Sequence, residues 1–351
     1  MINLLLSHNA NVNIPHYQGK TYLQLAVEQN NLEIIELLLS KGVSINEKDE
    51  NGKTALFYAA TLRNDSVIKY LFSHGAFINE RDSNSSTVLH VAAGYNSLTI
   101  ARFLILNGID INVQNFDGDT ALHISLYNKS NEMAEFLLLH DVNVNLRNNK
   151  GCSALHYAVS NNSQWMVWQL LSHGAEINLR DNLEKTPLHY ISFQYLEVSR
   201  MITLLLSHGA DINARDNQGR AFIHYATERP FLDVFECLIS HGADVNIVDY
   251  EGKTSLHILA DKNDEECCKF LIAHGADINV KTYEGKTALH FAVGEYCEHR
   301  LTKRLLISHG ADVNEKDFHG ISPRNLIQKR RWDNFCINII YLIRWILRQV
   351  F

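Results

Sequence analysis

A residue suited to capping a helix returns along this chain with a near-fixed period. It stands at Thr21, Thr54, Thr87, Thr120, Ser153, Thr186, Ala221, Thr254, Thr287 and Ser322, with spacings of 33, 33, 33, 33, 33, 35, 33, 33 and 35 residues. A period near 33 excludes an ordinary single core, because a unit that short covers its apolar face only by stacking on its neighbours. The stretch Gly275 to His290 shows what is repeated. Gly275 follows an apolar run and suits the left-handed residue that ends a helix. Asp277 and Asn279 suit side-chain-closed turns, and Glu284-Gly285 supplies a second turn. Thr287 then caps the next helix, and Leu289 opens its buried face.

The pattern Gly-x-Thr-(Ala/Pro)-Leu-His, followed about twenty residues later by Leu-Leu-x-x-Gly-Ala-Asp-(Ile/Val)-Asn, resembles the ankyrin repeat over residues 1 to 328. The resemblance implies an all-α fold, an ankyrin-type repeat solenoid of helix-turn-helix units joined by hairpin-like fingers. Nine complete repeats are expected within 16–316: 16–48, 49–81, 82–114, 115–147, 148–180, 181–215, 216–248, 249–281 and 282–316. Residues 1–15 read as a partial N-terminal repeat lacking its first helix, and 317–351 as a degenerate C-terminal repeat followed by an amphipathic helical tail. The missing first helix suggests that the chain starts inside an array. The family also implies a non-catalytic scaffold that binds a protein partner through its concave face and finger tips.

Charge limits the partner class. The formal net charge is −7, and the last 23 residues contribute +4, which leaves −11 for residues 1–328. An acidic array lacks the basic face that the phosphate backbone requires, so no nucleic acid is expected. Six cysteines are scattered without metal-ligand spacing, which reads as reduced thiols in an intracellular protein, cytoplasmic rather than nuclear. The first residues lack the basic region and long apolar run of a secretory signal. A monomer without cofactor or metal is expected.

Within the repeats, the position five residues after the cap is small in Ala26, Ala59, Ala92, Ser125, Ala158, Ala226 and Ala292, which lets neighbouring helices approach. Ile191 and Leu259 break this column, so their repeats should sit differently in the stack. Leucine pairs such as Leu38 and Leu39, Leu137 and Leu138, Leu205 and Leu206, and Leu305 and Leu306 should fill the core from the second helices. Two repeats carry two extra residues between their helices, near 193–198 and 294–300. Of the 18 histidines, seven form one column (His90, His123, His156, His189, His224, His257, His290) and eight another (His8, His74, His140, His173, His208, His241, His274, His309). A ligand set converges, whereas columns run along a stack, so both read as structural. Family resemblance implies that the first column bonds the capping threonine and nearby backbone. No nucleophile, phosphate loop or acid/base pair stands outside the repeat, so catalysis is not expected.

Aromatic residues that the repeat does not require point to a binding surface. Tyr95, Phe116 and Tyr127 fall at finger-tip and first-helix positions in two consecutive repeats, and Phe193 follows two units later. A competing patch is Trp165 and Trp168, three apart on a second helix where other repeats carry Glu33 and Glu36, on the convex side. The tail from Asp333 alternates apolar residues with Asn334, Asn338, Tyr341, Arg344 and Arg348 at helical spacing, too interrupted for a membrane span. It fits a helix closing the stack, one lying on a membrane surface or on a partner through residues 329–351, or a reading-frame accident. Two other functions therefore stand beside the scaffold: a peripheral membrane adaptor, and a targeting module of a larger enzyme or channel.

Overall fold

The computed structural model describes residues 19–195, 197–293 and 300–329. Expectations about residues 1–15, about most of the insertion at 294–300 and about the tail beyond 329 lie outside these. The chain divides into two compact units, 1–182 and 183–351, at the finger that opens the repeat 181–215. Among the described residues every regular element is helical.

In the first unit five helix pairs follow one another, from Tyr22–Glu28 with Leu32–Ser40 to Ala154–Ser160 with Gln164–Ser172. Each first helix begins beside a cap in extended conformation, such as Thr54 and Thr120. The pair is joined through a residue forced into positive φ: Asn30, Arg63, Asn96, Lys129 and Asn162. Second helices take an Asn cap where the sequence offers one, as where Asn31 Oδ1 accepts from the Ile34 N–H at 3.1 Å and Asn64 Oδ1 from Val67 at 3.1 Å. Leu23, Leu56, Leu89, Leu122 and Leu155, two residues after each cap, are fully buried. Each contributes roughly 1.5–3 kcal/mol before conformational entropy is subtracted. The small column is buried throughout, and Ser125 satisfies its hydroxyl on the Leu122 carbonyl at 2.8 Å. Both members of the pairs Leu137/Leu138 and Leu305/Leu306 are buried, but Leu39 and Leu206 are only half-buried beside Leu38 and Leu205. A second helix nine or ten residues long turns only part of its circumference to the core, so adjacent residues cannot both always face it.

The second unit repeats this plan with departures: the first helix Phe222–Ala226 is only five residues long and no residue of positive φ joins it to Leu232–Ser240. Where the column carries Ile191, the first helix shrinks to a 3-10 turn, Pro187–Tyr190, and the chain leaves it extended at Ile191. The larger side chain and the two-residue insertion are thus accommodated by unwinding, and the second helix starts at Val198. Leu259 is accommodated differently. Its helix, Ser255–Lys262, is complete and buries Leu259 fully, and Asn263 ends it in the left-handed conformation.

Fingers are closed by short side chains acting on their own backbone. Asp249 Oδ1 accepts from the N–H groups of Glu251 and Lys253 at 2.8 and 2.9 Å, and the Asp249 N–H donates to the Lys253 carbonyl at 2.9 Å. Asparagines then fasten finger to finger: Asn246 Nδ2 donates to the Gly275 carbonyl at 3.0 Å while its Oδ1 accepts from the Asp277 N–H at 2.8 Å. Asn46, Asn112, Asn145 and Asn213 make the same double bridge to the following repeat.

Candidate functional site

The capping histidines are bound into the framework. In the repeat 249–281, the Thr254 N–H donates to His257 Nδ1 at 3.1 Å, the Thr254 hydroxyl lies 2.8 Å from the same nitrogen, and Nε2 donates to the Val280 carbonyl at 3.0 Å. His90, His123, His189, His224 and His290 repeat the arrangement, His224 against Ala221, which has no hydroxyl to offer. Burial drives each of these six imidazoles below its ordinary pKa, His257 to about 4. Geometry works in the same direction, since a proton on Nδ1 would face the N–H that it now accepts from. Rings of the second column end the second helices: Nδ1 of His74, His140, His173, His208, His241, His274 and His309 lies 2.7–2.9 Å from the carbonyl four residues back. Such rings are committed to helix ends, and among the described residues no three His, Cys, Asp or Glu side chains gather as a metal-holding group.

The first column contains three substitutions. Gln24 imitates the imidazole: its Oε1 accepts from the Thr21 N–H at 2.8 Å, and its Nε2 donates to the Glu47 and Lys53 carbonyls at 3.0 and 2.9 Å. Asn325 does so at Ser322, accepting from its N–H at 3.0 Å and from its hydroxyl at 2.7 Å. That register survives although Arg324 replaces the leucine. Phe57 cannot imitate it, and the Thr54 hydroxyl is buried without a partner.

With both histidine columns engaged, binding capacity lies in what the repeats expose. Tyr95, Phe116 and Tyr127 are 44 %, 69 % and 72 % exposed. Tyr95 ends the helix Val88–Gly94, Tyr127 ends Ala121–Tyr127, and Phe116 stands at a finger tip whose N–H bonds the Asn84 carbonyl of the preceding finger at 2.8 Å. Tyr127 meets Tyr157 of the next repeat edge to face, with ring centroids 6.3 Å apart. The position before the cap holds Ser86, Asp119 and Cys152 in these repeats, and Asp119 accepts from Asn148 Nδ2 at 2.7 Å. This face therefore joins tyrosine, phenylalanine and amide groups with the exposed charges of Asp117, Lys129 and Lys150.

Phe193 does not belong to it. The ring is only 9 % exposed and stacks on Phe222 at 5.6 Å, with an 11° angle between planes. Unwinding after Tyr190 turns the residue inward, where the expectation from a regular first helix turned it out. Trp165 and Trp168 are both about half exposed on the second helix Gln164–Ser172. Tyr195, in the inserted segment, is half-buried.

Sequence reasoning missed a longer aromatic series. Phe116, Tyr250, Tyr283 and Phe318 all stand four residues before a cap, and the last three occupy consecutive repeats. They are strongly exposed, and their common register was present in the sequence. Of the described cysteines Cys152, Cys267 and Cys268 are buried and Cys237 is half-buried, and burial raises the Cys267 thiol to about 12.

The family model described as ankyrin repeats (3 copies) matches residues 1–49, 45–115, 89–181, 180–249 and 231–317. Comparison with curated proteins finds no match. Among solved structures 632 chains match, so the fold is common and by itself names no partner. One of them is the crystal structure of the ankyrin repeat domain of Bcl-3, described as a unique member of the IkappaB protein family. It is 28% identical, covers 59% of this chain and 93% of its own, and superposes with a TM-score of 0.52. With family matches that run in succession from residue 1 to residue 317, the chain belongs to the ankyrin repeat family.

Proposed function

We infer that the chain is a non-catalytic scaffold that binds a protein partner across the fingers and first helices of residues 82–180. Ankyrin repeats are in general protein–protein interaction modules. The observation that carries the reading is the exposure of Tyr95, Phe116 and Tyr127 in two adjacent repeats. Large aromatic side chains give up area to water unless a partner covers them, and they are over-represented among residues that dominate binding energy. The tryptophan pair Trp165 and Trp168 is confined to one repeat and is the weaker candidate, because a partner engages it over a shorter span.

The test uses the full chain. Proteins retained from native cell extract are identified by mass spectrometry, and the strongest is purified and titrated against wild type, Tyr95→Ala/Phe116→Ala/Tyr127→Ala and Trp165→Lys/Trp168→Lys. The expected result is affinity lost in the first variant and kept in the second, both with wild-type circular dichroism. Loss confined to the tryptophan variant moves the site to the outward face of the second helix.

A further inference from the structure

One substitution in the second unit leaves two charged groups without the partners that other repeats give them. In two places a cation immediately before a cap lies over a tyrosine ring of the next repeat, and the hydroxyl of that tyrosine donates to the aspartate that closes its own finger. Lys20 stands 5.0 Å from the Tyr58 ring centroid, and Tyr58 donates to Asp49 Oδ2 at 2.5 Å. Lys185 stands 5.1 Å from that of Tyr225, and Tyr225 donates to Asp216 Oδ2 at 2.5 Å. The ring thus bridges cation and carboxylate across the junction of two repeats. Where the ring is Phe291, Lys253 lies over it at 5.5 Å and Thr282 replaces the aspartate, so no carboxylate there calls for a hydroxyl.

At the junction of repeats 216–248 and 249–281 the cation and the carboxylate are both present, as Arg220 and Asp249, but Ile258 stands at the tyrosine position. Isoleucine offers neither a ring face nor a donor. The Arg220 backbone is fixed on both sides, its N–H donating to Asp216 Oδ1 at 2.9 Å and its carbonyl accepting from His189 Nε2 at 3.2 Å. Its Nε is nevertheless buried without a hydrogen-bond partner. Asp249 is 3 % exposed and spends Oδ1 on its finger, which leaves Oδ2 without the donor that Asp49 and Asp216 have. Val91 likewise stands between Lys53 and Asp82, but Asp82 is only half-buried and solvent reaches it.

Arg220, Asp249 and Ile258 line one cavity of 230 Å³, with Tyr225 and Phe291 also in its wall. A cavity of about 150 Å³ admits benzene, so this one has room for a substituted ring. Its charged lining is balanced, with Arg220, Lys253 and Lys262 against Glu228, Asp249 and Asp261, which favours a neutral ligand over an anion or a cation.

We propose that this cavity binds a small neutral phenol, whose ring lies against the Arg220 guanidinium and whose hydroxyl donates to Asp249 Oδ2, in the role that tyrosine plays in other repeats. Such a ligand braces two repeats against each other, as Tyr58 and Tyr225 do from within the chain. The cavity shares no residue with the aromatic face of the first unit, so binding here and partner binding there are separable.

Calorimetric titration and thermal unfolding of the full chain test it with three probes: p-cresol, 4-methylanisole, which lacks the hydroxyl hydrogen, and toluene, which lacks the oxygen. The first should bind saturably and raise the thermal midpoint, whereas the other two should bind about tenfold more weakly or worse. Ile258→Tyr builds the ring into the chain, so it should unfold at a higher temperature than wild type and bind p-cresol about tenfold more weakly or worse. Asp249→Asn keeps the finger, since Asn148 closes its own through Oδ1, which accepts from the Lys150 and Cys152 N–H groups at 3.0 Å. It replaces the free acceptor by a donor, so p-cresol should lose its advantage over 4-methylanisole. No saturable binding of p-cresol, equal binding of toluene or 4-methylanisole by wild type, undiminished binding by Ile258→Tyr, or an unchanged preference in Asp249→Asn overturns the proposal.

Discussion

Replacing His257 by glutamine should remove a defined part of the protein's acid sensitivity without removing its hydrogen bonds. The chain already contains the precedent, because Gln24 bonds its own cap and the carbonyl 23 residues on, as His257 does. His257 is held at about 4 in the folded protein, chiefly by burial, against an unfolded value of 6.5. The unfolded chain therefore binds a proton more readily, and stability falls as pH drops below about 6.5 until the folded pKa near 4 is reached. Two and a half pKa units amount to about 3 kcal/mol in full, of which about 2 kcal/mol is already lost near pH 5. Repeats open locally with their neighbours, so the readout is amide exchange in the helix Ser255–Lys262, corrected for intrinsic rate, at about pH 7.5 and 5. Wild type should lose about 2 kcal/mol more protection than His257→Gln between those two conditions, and the two should agree within about 1 kcal/mol at the higher pH. Equal losses in both proteins would refute the assignment of acid sensitivity to the buried imidazole.

Thr54→Val removes a buried hydroxyl that has no partner and should stabilise the first unit by about 1 kcal/mol, read from the urea midpoint; destabilisation would show that the hydroxyl is satisfied. Phe193→Ala takes a ring out of its stack on Phe222 and should cost about 3–5 kcal/mol in the second unit, whereas an exposed aromatic would cost under about 0.5 kcal/mol. Stoichiometric zinc should leave the melting temperature unchanged, because the rings of both histidine columns are engaged with caps and carbonyls; a saturable rise at one equivalent would reveal a site.

The sequence by itself determined the repeat, its register and its helix starts, since these depend on interactions a few residues long. A cap, a histidine three residues on and a glycine at positive φ act within one junction, and the period simply copies that junction along the chain. The register of the tip aromatics was equally legible, because Phe116, Tyr250, Tyr283 and Phe318 share one position before the cap. Only the tertiary structure decided the fate of Phe193: its partner Phe222 lies 29 residues away, and the turn inward follows from an unwound helix that its own propensities did not announce. Only the tertiary structure, too, distinguished the buried guanidinium nitrogen of Arg220, which has no partner, from Lys253 and Lys286, whose charges are already paired. Local chemistry fixes where the chain turns and caps, whereas burial and charge balance depend on which residues the neighbouring repeat brings into contact.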